Sequence, residues 1–304
     1  MAKSLNKTPH RLTVFTPAYN RAHTLGRTYQ SLCRQTCGDF HWIVVDDGSS
    51  DGTGDLVRQW QNENKIPISY YYKQNGGMAS AHNEAYKHID TELAVCIDSD
   101  DWMPDDAVEK ILAKWDKDGD ERYAGIIGLD IYENGNVVGR PFPDNLHDCK
   151  VRDLDRKHKA TGDKKYVYVV EVIRKYLPFI EINGERYGGV NYLYQVIDCD
   201  YDILCDNTAY CIVEYQTDGL SVNIFNQYVN SPRTQAYERE ALMSALTDKR
   251  DIFRHGMHYV SCAIFAKDLS MLWRTKHKLI VAIALPVGLL WNIYVRYKRW
   301  RKSE

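Results

Sequence analysis

The stretch LAVCIDSDD, residues 93–101, decides the fold class, because five apolar residues run directly into a cluster of three carboxylates. An apolar run without polar alternation is typical of a strand buried on both faces of a sheet. Asp98 and Asp100 are two positions apart, so at a strand end their side chains share one face. Mg²⁺ and Mn²⁺ prefer such oxygen ligands together with substrate phosphates. The stretch therefore favours a metal–diphosphate site, and a solvated acidic turn is the alternative.

Length and composition are those of a globular protein. The 304 residues suffice for one large domain or one and a half, and 44% are hydrophobic and 26% charged. The net charge of −2 argues against a nucleic-acid-binding protein. Eight cysteines form no C-x-x-C pair, which favours reduced thiols in a reducing compartment. The N-terminal residues lack the apolar segment of a secretory signal, so we expect a cytoplasmic location.

Residues 12–120 alternate between strand and helix patterns. The predicted strands are 12–16, 41–45, 66–72 and 93–97, and the predicted helices are 22–35, 56–62, about 78–88 and one that begins at Pro104. This alternation predicts a parallel, doubly wound α/β sheet with helices on both faces. Asp105 and Asp106 are expected in the first turn of the last helix, where the helix dipole favours acids.

Three polar loops are predicted at the carboxyl ends of the strands, at 16–21, 46–52 and 98–102. In open α/β sheets the ligand binds outside these strand ends. The chain has neither the glycine fingerprint of dinucleotide folds nor a P-loop. We therefore expect a nucleotide-type fold in which a metal ion, rather than a glycine loop, binds the phosphates.

The polar loops resemble those of family 2 glycosyltransferases with the GT-A fold. The matching segments are TPAYNR at 16–21, VVDDGSSDGT at 44–53, NGG at 75–77 with Asn83, and DSDD at 98–101. They occur in the family's order over roughly residues 10–120. The resemblance implies a GT-A (Rossmann-like), mostly parallel sheet and an enzyme that transfers a sugar from a nucleotide-sugar donor, with UDP as the expected nucleotide.

The resemblance also implies roles for residues of the first two loops. Tyr19 would pack on the nucleotide base, with the backbone of Pro17 and Ala18 nearby. Asp47 would accept a hydrogen bond from uracil N3–H. Asp46 would contribute to nucleotide binding or would instead organise the glycine-containing turn.

The remaining donor-site positions follow in the same way. Asn75, Gly76, Asn83, Asp98 and Ser99 would bind the nucleotide sugar. Asp98 and Asp100 resemble the D-x-D pair at the ribose and the metal, with Asp101 as a further ligand. The implied cofactor is Mn²⁺ or Mg²⁺, which offsets the charge that develops on the leaving nucleoside diphosphate.

One position departs from the family pattern. Relatives often have an arginine before the asparagine of the third helix, beside the phosphates, whereas this chain has His82. A neutral histidine attracts phosphate less than arginine does. The sequence leaves open whether His82 has a site role or is a surface helix residue.

Residues 121–225 are expected to form the acceptor half of a GT-A domain that covers 1–225. The patterns predict a hairpin at 123–132 and 137–140, a mobile loop at 144–166, a helix at 166–176 and a strand at 210–215. The segments 185–187 and 214–221 resemble bacterial members that build surface or capsular polysaccharide. The acceptor would then be a glycan or a lipid-linked glycan.

The catalytic base is the weakest part of the resemblance. Inverting transfer requires a carboxylate that takes the proton of the acceptor hydroxyl. Relatives of this subgroup have Pro-Glu shortly after a Glu-Arg-Tyr-like triplet, whereas this chain has Gly189-Val190. We take Glu185 as the first candidate for the base, and the alternatives are Glu181, Asp198 and Asp200.

Two other functions stay open. If no carboxylate serves as the base, the chain is a catalytically weak partner subunit that binds a nucleotide sugar. A nucleotidyltransferase would require a Gly/Lys-rich triphosphate loop near the N-terminus, which the sequence lacks.

Residues 226–304 are expected to form a helical, basic C-terminal extension. The apolar run 279–295 has basic residues on both sides and aromatic residues near its ends. This pattern favours peripheral contact of 272–304 with the cytoplasmic face of a membrane. The alternatives are a spanning helix, which is slightly short and contains Pro286, and a core or homodimer-forming helix.

Overall fold

The computed structural model describes residues 10–186, 189–214 and 224–302, which fall into two compact units. The first unit contains the described residues up to Asn75, Ala81–Pro178 and those that follow Asp200 as far as 214. The second unit contains Gly76–Ser80, the described part of Phe179–Cys199 and the helices after residue 223. Residues 76–80 and the described part of 179–199, which we assigned to the 1–225 domain, therefore pack with the C-terminal helices.

The first unit is built around one eight-stranded sheet. Its strands are β1 Leu12–Ala18, β2 Phe40–Asp46, β3 Ile68–Tyr72, β4 Leu93–Cys96, β5 Tyr123–Ile131, β6 Asp148–Cys149, β7 Lys164–Val169 and β8 Asp202–Ile212. The helices of the chain are α1 Leu25–Cys33, α2 Thr53–Glu63, α3 Met78–His88, α4 Ala107–Asp118, α5 Val170–Ile173, α6 Asn191–Ile197, α7 Ile224–Asn230, α8 Pro232–Ala245, α9 Lys249–Phe265, α10 Met271–Arg274 and α11 Lys278–Lys302.

The strand order is β3-β2-β1-β4-β7-β5-β8-β6. The first four strands are parallel, and the chain moves from the β3 edge to the other side of β1 when it forms β4. The α/β prediction is confirmed, but only this half of the sheet is uniformly parallel. Strand β7 lies antiparallel between β4 and β5, and β6 is antiparallel to β8, so the whole sheet is mixed.

Apolar residues on both faces of the parallel strands are buried. Val14 and Val95 lie on one face and Phe15 and Ile43 lie on the other, and all four are fully buried, as expected of strands covered by helices on both sides. Helices α1 and α2 bring Tyr29 and Trp60 against Trp42 of β2 in stacked contacts. The Trp42 indole N–H donates to Thr16 Oγ1 at 3.1 Å, so the buried polar atom is satisfied.

The structure corrects the prediction of a helix at 166–176. Residues 164–169 form β7, and only Val170–Ile173 is helical. The segment KKYVYV is rich in aromatic and β-branched residues, and it pairs with both β4 and β5. This sheet pairing outweighs the local helical pattern. Strand β8 is also longer than the predicted 210–215 strand, because it begins at Asp202.

Three smaller predictions are also corrected. The helix after Pro104 begins at Ala107, so Asp105 and Asp106 precede it; they form ion pairs with Arg34 and Lys110. The segment 144–166 is partly ordered into β6, a 3-10 turn and the start of β7. In the predicted 123–140 hairpin, the turn forms, but the return arm is reduced to a single bridge between Ile131 and Val137.

The second unit contains a helical core. Helices α7, α8, α9 and α11 bury the cluster Tyr228, Ala236, Met243, Tyr259, Val260, Cys262 and Val281. Helix α8 begins with proline at its first turn, and α9 begins after Asp248, whose carboxylate accepts from the amides of Arg250 and Asp251. The helical prediction for 226–304 is in line with these elements.

Candidate active site

The polar loops lie at the carboxyl ends of β1, β2 and β4, where the strand order reverses. Because the chain leaves β1 toward one side of this point and leaves β4 toward the other, a crevice opens between the two loops. The residues that follow β1 and β4 are Tyr19-Asn20-Arg21 and Asp98-Ser99-Asp100-Asp101. The two sequence segments that predicted the donor site therefore flank the position where open α/β sheets bind ligands.

Hydrogen bonds join the loop after β1 to the loop after β2. The backbone of Asn20 is left-handed (φ 53°), and its amide donates to Ser49 Oγ at 2.8 Å. The Asn20 side chain accepts from the Ser50 amide at 2.9 Å, and the Arg21 amide donates to Thr53 Oγ1 at 3.0 Å. Asparagine is one of the few residues that adopt a left-handed backbone at low cost. This network holds Tyr19, which is 49% exposed, at the rim of the crevice.

The two neighbouring carboxylates after β2 have different surroundings. Asp46 is buried and accepts from the Ser49 amide at 2.8 Å and from the Tyr70 hydroxyl at 2.6 Å. Asp47 is also buried, and its Oδ1 lies 2.8 Å from Lys73 Nζ. Asp46 thus organises the turn, which is one of the two roles that we predicted for it. The role of Asp47 at the nucleotide base stays a prediction.

A close backbone approach brings Asn75 to this turn. Gly48 has φ 86°, and a Cβ atom there would lie 2.8 Å from the Asn75 amide nitrogen. Only glycine tolerates both the left-handed backbone and this contact. The sequence spacing alone did not show that the glycine of the DDGS segment and the NGG segment are packed together.

Asp98, Ser99 and Asp100 follow β4 in a tight turn, closed by the Asp101 amide donating to the Asp98 carbonyl at 3.0 Å. Asp98 is exposed, Ser99 is buried and Asp100 is half-buried. Burial raises the pKa of Asp100, and repulsion from the Asp98 carboxylate adds to the shift. A divalent cation would relieve this repulsion.

Asp101 points away from the other two carboxylates, toward the protein interior. Its Oδ2 lies 3.8 Å from Lys165 Nζ of β7, and its Oδ1 accepts from the Glu214 amide at 3.3 Å. Burial by itself would lower the pKa of Lys165, but Asp130 and the other nearby acids outweigh it and raise that pKa. Lys165 is therefore a buried cation beneath the DSDD turn.

Two carboxylates at the turn fit a hard divalent cation, but the described residues contain no cluster of three or more acidic, histidine or cysteine side chains arranged to hold a metal. A cation bound by one or two carboxylates and completed by substrate phosphates suits this arrangement. Asp98 and Asp100 are the residues available for it, because Asp101 is engaged with Lys165.

Arg27 was not predicted from the sequence as a site residue. Its guanidinium lies 4.8 Å over the ring of Trp102, donates to the Asp100 carbonyl and forms an ion pair with Glu214. It therefore places a positive charge beside the DSDD turn. An arginine in the first turn of a helix carries no sequence pattern that would have revealed this position.

Helix α3 brings two further residues to the site region of the first unit. Asn83 is 9% exposed and His82 is 2% exposed. The His82 ring makes an edge-to-face contact with Phe15 of β1, with ring centroids 5.2 Å apart. The interpretation of His82 as a surface residue is therefore wrong, because its ring packs into the core beneath β1.

In the second unit, the NGG segment packs against the segment that follows Glu185. Gly77 has φ 87°, and a Cβ atom there would lie 2.1 Å from the Arg186 carbonyl oxygen. Gly76 belongs to the same unit. Tyr187 and residues 215–221 of the second resemblance segment lie outside the described residues.

Glu185 caps a helix. Its carboxylate accepts from the amides of Arg233 and Thr234 at 3.0 and 2.7 Å, and from the Thr234 hydroxyl at 2.8 Å. These donors belong to the first turn of α8, whose free amides attract a carboxylate. The alternative candidates lie elsewhere: Glu181 and Asp200 are exposed, and Asp198 is buried.

Glu238 of α8 is a second carboxylate that the sequence did not reveal. It is 5% exposed, and its Oε1 accepts from the Gly189 amide at 2.8 Å. Burial raises the pKa of Glu238 to about 7. Gly189 is the position at which the resemblance had led us to expect Pro-Glu, so a carboxylate from another helix lies directly beside it. The 49 residues between them explain why no local pattern predicted the contact.

Comparisons with known proteins agree with this fold. Residues 13–166, about half of the chain, match the family model of glycosyl transferase family 2. Chondroitin synthase of Pasteurella multocida is 24% identical over 293 residues, which cover 91% of this chain and 29% of that protein. The chain spans less than half the length of the curated relatives that head this comparison.

Solved structures show the same fold at low identity. S. aureus TarS in complex with UDP-GlcNAc has a TM-score of 0.57 at 16% identity, covering 97% of this chain and 92% of that one. A mannosyltransferase from Pyrobaculum calidifontis, in complex with GDP-Man and Mn²⁺, has a TM-score of 0.53 at 15% identity, covering 95% and 90%. These likenesses show a GT-A fold.

Proposed function

The chain belongs to glycosyl transferase family 2, and from this premise we propose that it transfers a sugar from a UDP-sugar to a glycan or a lipid-linked glycan, with inversion at the anomeric carbon. That it is a glycosyltransferase follows from the family. The donor, the acceptor and the stereochemistry are our proposal. The observation that supports it is that the loops carrying Tyr19, Asp47, Asp98 and Asp100 follow β1, β2 and β4 at one edge of the sheet.

The donor half of the proposed mechanism uses residues of the first unit. Tyr19 stacks on the base and Asp47 accepts from uracil N3–H, with Lys73 fixing the orientation of that carboxylate. Asn75, Asn83 and Ser99 complete the donor contacts of this unit, whereas Gly76, which we had also expected to bind the donor, belongs to the second unit. Pro17 and Ala18 support them as the last residues of β1.

The diphosphate requires positive charge. Asp98 and Asp100 would hold Mn²⁺ or Mg²⁺, which when bound offsets the negative charge on the leaving nucleoside diphosphate. We had expected Asp101 as a further metal ligand, but because it is paired with Lys165 we assign it instead to supporting the turn. Arg27 supplies further positive charge next to Asp100.

The acceptor hydroxyl needs a base, and Glu185 remains our first candidate. As a helix cap it accepts three hydrogen bonds from the first turn of α8. Glu238 is the alternative that the structure adds, because a carboxyl group with a pKa near neutrality suits proton transfer at neutral pH.

A screen of nucleotide sugars tests the proposal. The full chain is incubated with UDP-, GDP- and dTDP-sugars, Mn²⁺ and a bacterial glycan and lipid extract, and nucleotide release and the anomeric configuration of the product are recorded. We expect UDP release that chelation of the metal abolishes, with an inverted product. Release from a GDP- or dTDP-sugar alone, or a product with retained configuration, would contradict the proposal.

The absence of a carboxylate at Gly189-Val190 favours one second candidate function, a catalytically weak subunit that binds a nucleotide sugar. Calorimetry with UDP and Mn²⁺ separates the two. Tight binding without transfer to any acceptor would support the partner subunit. We further propose that the enzyme acts at the cytoplasmic face of a membrane, where a lipid-linked acceptor is found.

A further inference from the structure

Helix α11 presents an unbroken apolar surface on one side. Between Lys278 and Arg296 it carries no charged residue, and its exposed side chains include Leu279, Ile283, Leu289, Leu290 and Ile293. At 1.5 Å per residue, the 279–295 run is about 25 Å long. Among the described residues, this is one helix long and apolar enough to cross a membrane. Length and composition alone do not decide whether it does so.

The opposite side of α11 is packed against α9 along its whole apolar length. Val281, Ala284, Asn292 and Val295 are buried. A Cβ atom on Gly288 would lie 2.6 Å from Val260 Cβ, so the two helices approach closely there. This face is therefore fully occupied by protein.

Polar contacts also join α9 and α11 near the carboxyl ends of the two helices. The Asn292 side-chain amide donates to the Ser261 carbonyl and to Ser261 Oγ, both at 3.2 Å. The Arg296 guanidinium lies 5.0 Å over the ring of Phe265. Helices α9 and α11 thus run side by side as one rigid element.

The helices behind α11 are unsuited to the interior of a bilayer. Helix α9 packs in turn on α8 in the core of the second unit, and α8 carries the charged residues Glu238 and Arg239. If α11 crossed a bilayer, these charges would be drawn toward the hydrocarbon with it, at a high cost in free energy. A helix that exposes only one apolar side avoids this cost.

Charge and aromatic residues identify the surface that fits. Residues 269–303 contain eight Lys or Arg residues and no acid, although the whole chain has a net charge of −2. Arg274, Lys276 and Lys278 are exposed before the apolar run, and Arg296, Arg299 and Arg301 are exposed after it. Exposed Trp273, Tyr297 and Trp300 accompany them. Basic residues with interfacial aromatic residues are typical of contact with anionic lipid.

A shallow apolar groove opens between α9 and α11. It has a volume of about 300 Å³ and is lined by Met257, Val287, Leu290, Trp291 and Tyr294. A groove formed by apolar side chains of two helices suits an acyl chain rather than water.

We propose that α11 lies in the plane of an anionic lipid surface, with its exposed apolar side among the acyl chains and α9 on its water side. This geometry deepens the membrane contact in the proposed function and rests on it. The basic residues at both ends of α11 contact lipid phosphates. The helix binds the membrane without crossing it.

Co-sedimentation of the full chain with vesicles tests the geometry. The vesicles contain phosphatidylcholine alone or phosphatidylcholine with phosphatidylglycerol. We expect binding to the anionic vesicles that falls with salt, and full release by alkaline carbonate. The double variant Ile283→Asp/Leu290→Asp should lose more than about tenfold in affinity, because charges cannot enter the acyl region.

The matched control is Gln59→Asp/Asn62→Asp, which adds the same two charges on the exposed side of α2 and should bind vesicles normally. Retention after carbonate would show a spanning helix and overturn the proposal. Equal binding of the Ile283/Leu290 variant would also overturn it. So would a wild-type dimer, seen by light scattering, that this variant dissociates, because a second copy would then cover the face.

Calorimetry with UDP and Mn²⁺ on the same variants keeps the two proposals separate. If UDP binds but vesicles do not, the membrane geometry fails while the donor assignment stands. If vesicles bind but UDP does not, the donor assignment fails alone.

Discussion

The ammonium group of Lys165 lies 3.8 Å from the inward-facing carboxylate of Asp101, and both side chains are about 10% exposed. Lys165 comes from β7, and Asp101 ends the DSDD turn that follows β4. A buried cation next to several acids allows the chain to concentrate carboxylates at one strand end without mutual repulsion unfolding it. The pair divides the three acids into two that face the crevice and one that supports the turn.

Removal of this cation should destabilise the first unit. We expect Lys165→Met to lower the free energy of unfolding by about 3–5 kcal/mol, because Asp101 is left buried without its counter-charge and Asp130 keeps only Lys164 nearby. Urea unfolding measures the loss. The double variant Lys165→Met/Asp101→Asn should recover part of it. Lys110→Met, which breaks the exposed pair with Asp106, should cost no more than about 1 kcal/mol. A Lys165→Met loss as small as this would contradict the buried-pair interpretation.

Loss of one crevice carboxylate should remove the metal-dependent part of donor binding. We expect Asp100→Ala to weaken UDP binding in the presence of Mn²⁺ by about 100-fold and to leave the weaker metal-free binding unchanged. Calorimetric titration with and without Mn²⁺ reads this out independently of turnover. Asp106→Asn, an acid close in sequence but paired with Lys110, is the control. Equal effects of Mn²⁺ on Asp100→Ala and wild type would remove Asp100 from the metal site.

The fold of the donor half was predictable because its information is local. Strands β1, β2 and β4 are each marked in the sequence by an apolar run that ends in a polar loop, and these loops lie at the same edge of the sheet. The spacing of Asp98 and Asp100 needed only strand periodicity and the parallel-sheet rule, whereas the role expected of Asp47 came from the family resemblance. The family match over residues 13–166 covers this same region.

The second half was less predictable because its contacts join distant parts of the chain. The segment 164–169 has a helical neighbour and an ambiguous pattern, and only pairing with β4 and β5 makes it a strand. Lys165 was missed for that reason. Glu238 reaches Gly189 across 49 residues, and Glu185 reaches Thr234 across the same number. No periodicity within either segment encodes these contacts.

A buried and a half-buried histidine on α9, His255 and His258, should make the second unit sensitive to acid. Burial lowers the pKa of His255 to about 4 and that of His258 to about 3. Both values lie below about 6.5 for an unfolded histidine, so below that pH the unfolded chain binds more protons. Their contribution to stability is complete above about pH 6.5 and declines as the pH falls toward the folded values, by at most about 1.4 kcal/mol per pH unit for each histidine.

Unfolding by urea at about pH 7 and about pH 5 measures this slope. His255→Leu should reduce this slope, because the variant lacks the titrating ring. The substitution should break no hydrogen bond, since within the described part of the chain neither buried ring nitrogen of His255 has a hydrogen-bond partner. The exposed His23 provides the control His23→Gln, which should leave the slope unchanged. If His255→Leu and wild type lose stability equally on acidification, His255 does not contribute.

The two candidate bases can be separated by paired substitutions. If Glu185 is the base, Glu185→Gln should lower kcat by about 10²–10⁴-fold with UDP binding intact. It should also cost about 1 kcal/mol of stability, because the α8 cap is weakened. Thr234→Val removes one donor to the same cap and leaves the carboxylate, so it isolates the structural role. Equal kcat values for Glu185→Gln and Thr234→Val would mean that Glu185 only caps the helix.

Glu238→Gln provides the other arm of the same comparison. Glutamine keeps an oxygen that can accept from the Gly189 amide, so the local fold should survive. If Glu238 is the base, this variant loses kcat and loses the rise in activity near pH 7, where a carboxyl group with a pKa of about 7 becomes ionised. If Glu238→Gln keeps the wild-type pH profile and Glu185→Gln is inactive, Glu185 is the base. If both variants turn over donor normally, the search moves to Glu181, Asp198 and Asp200.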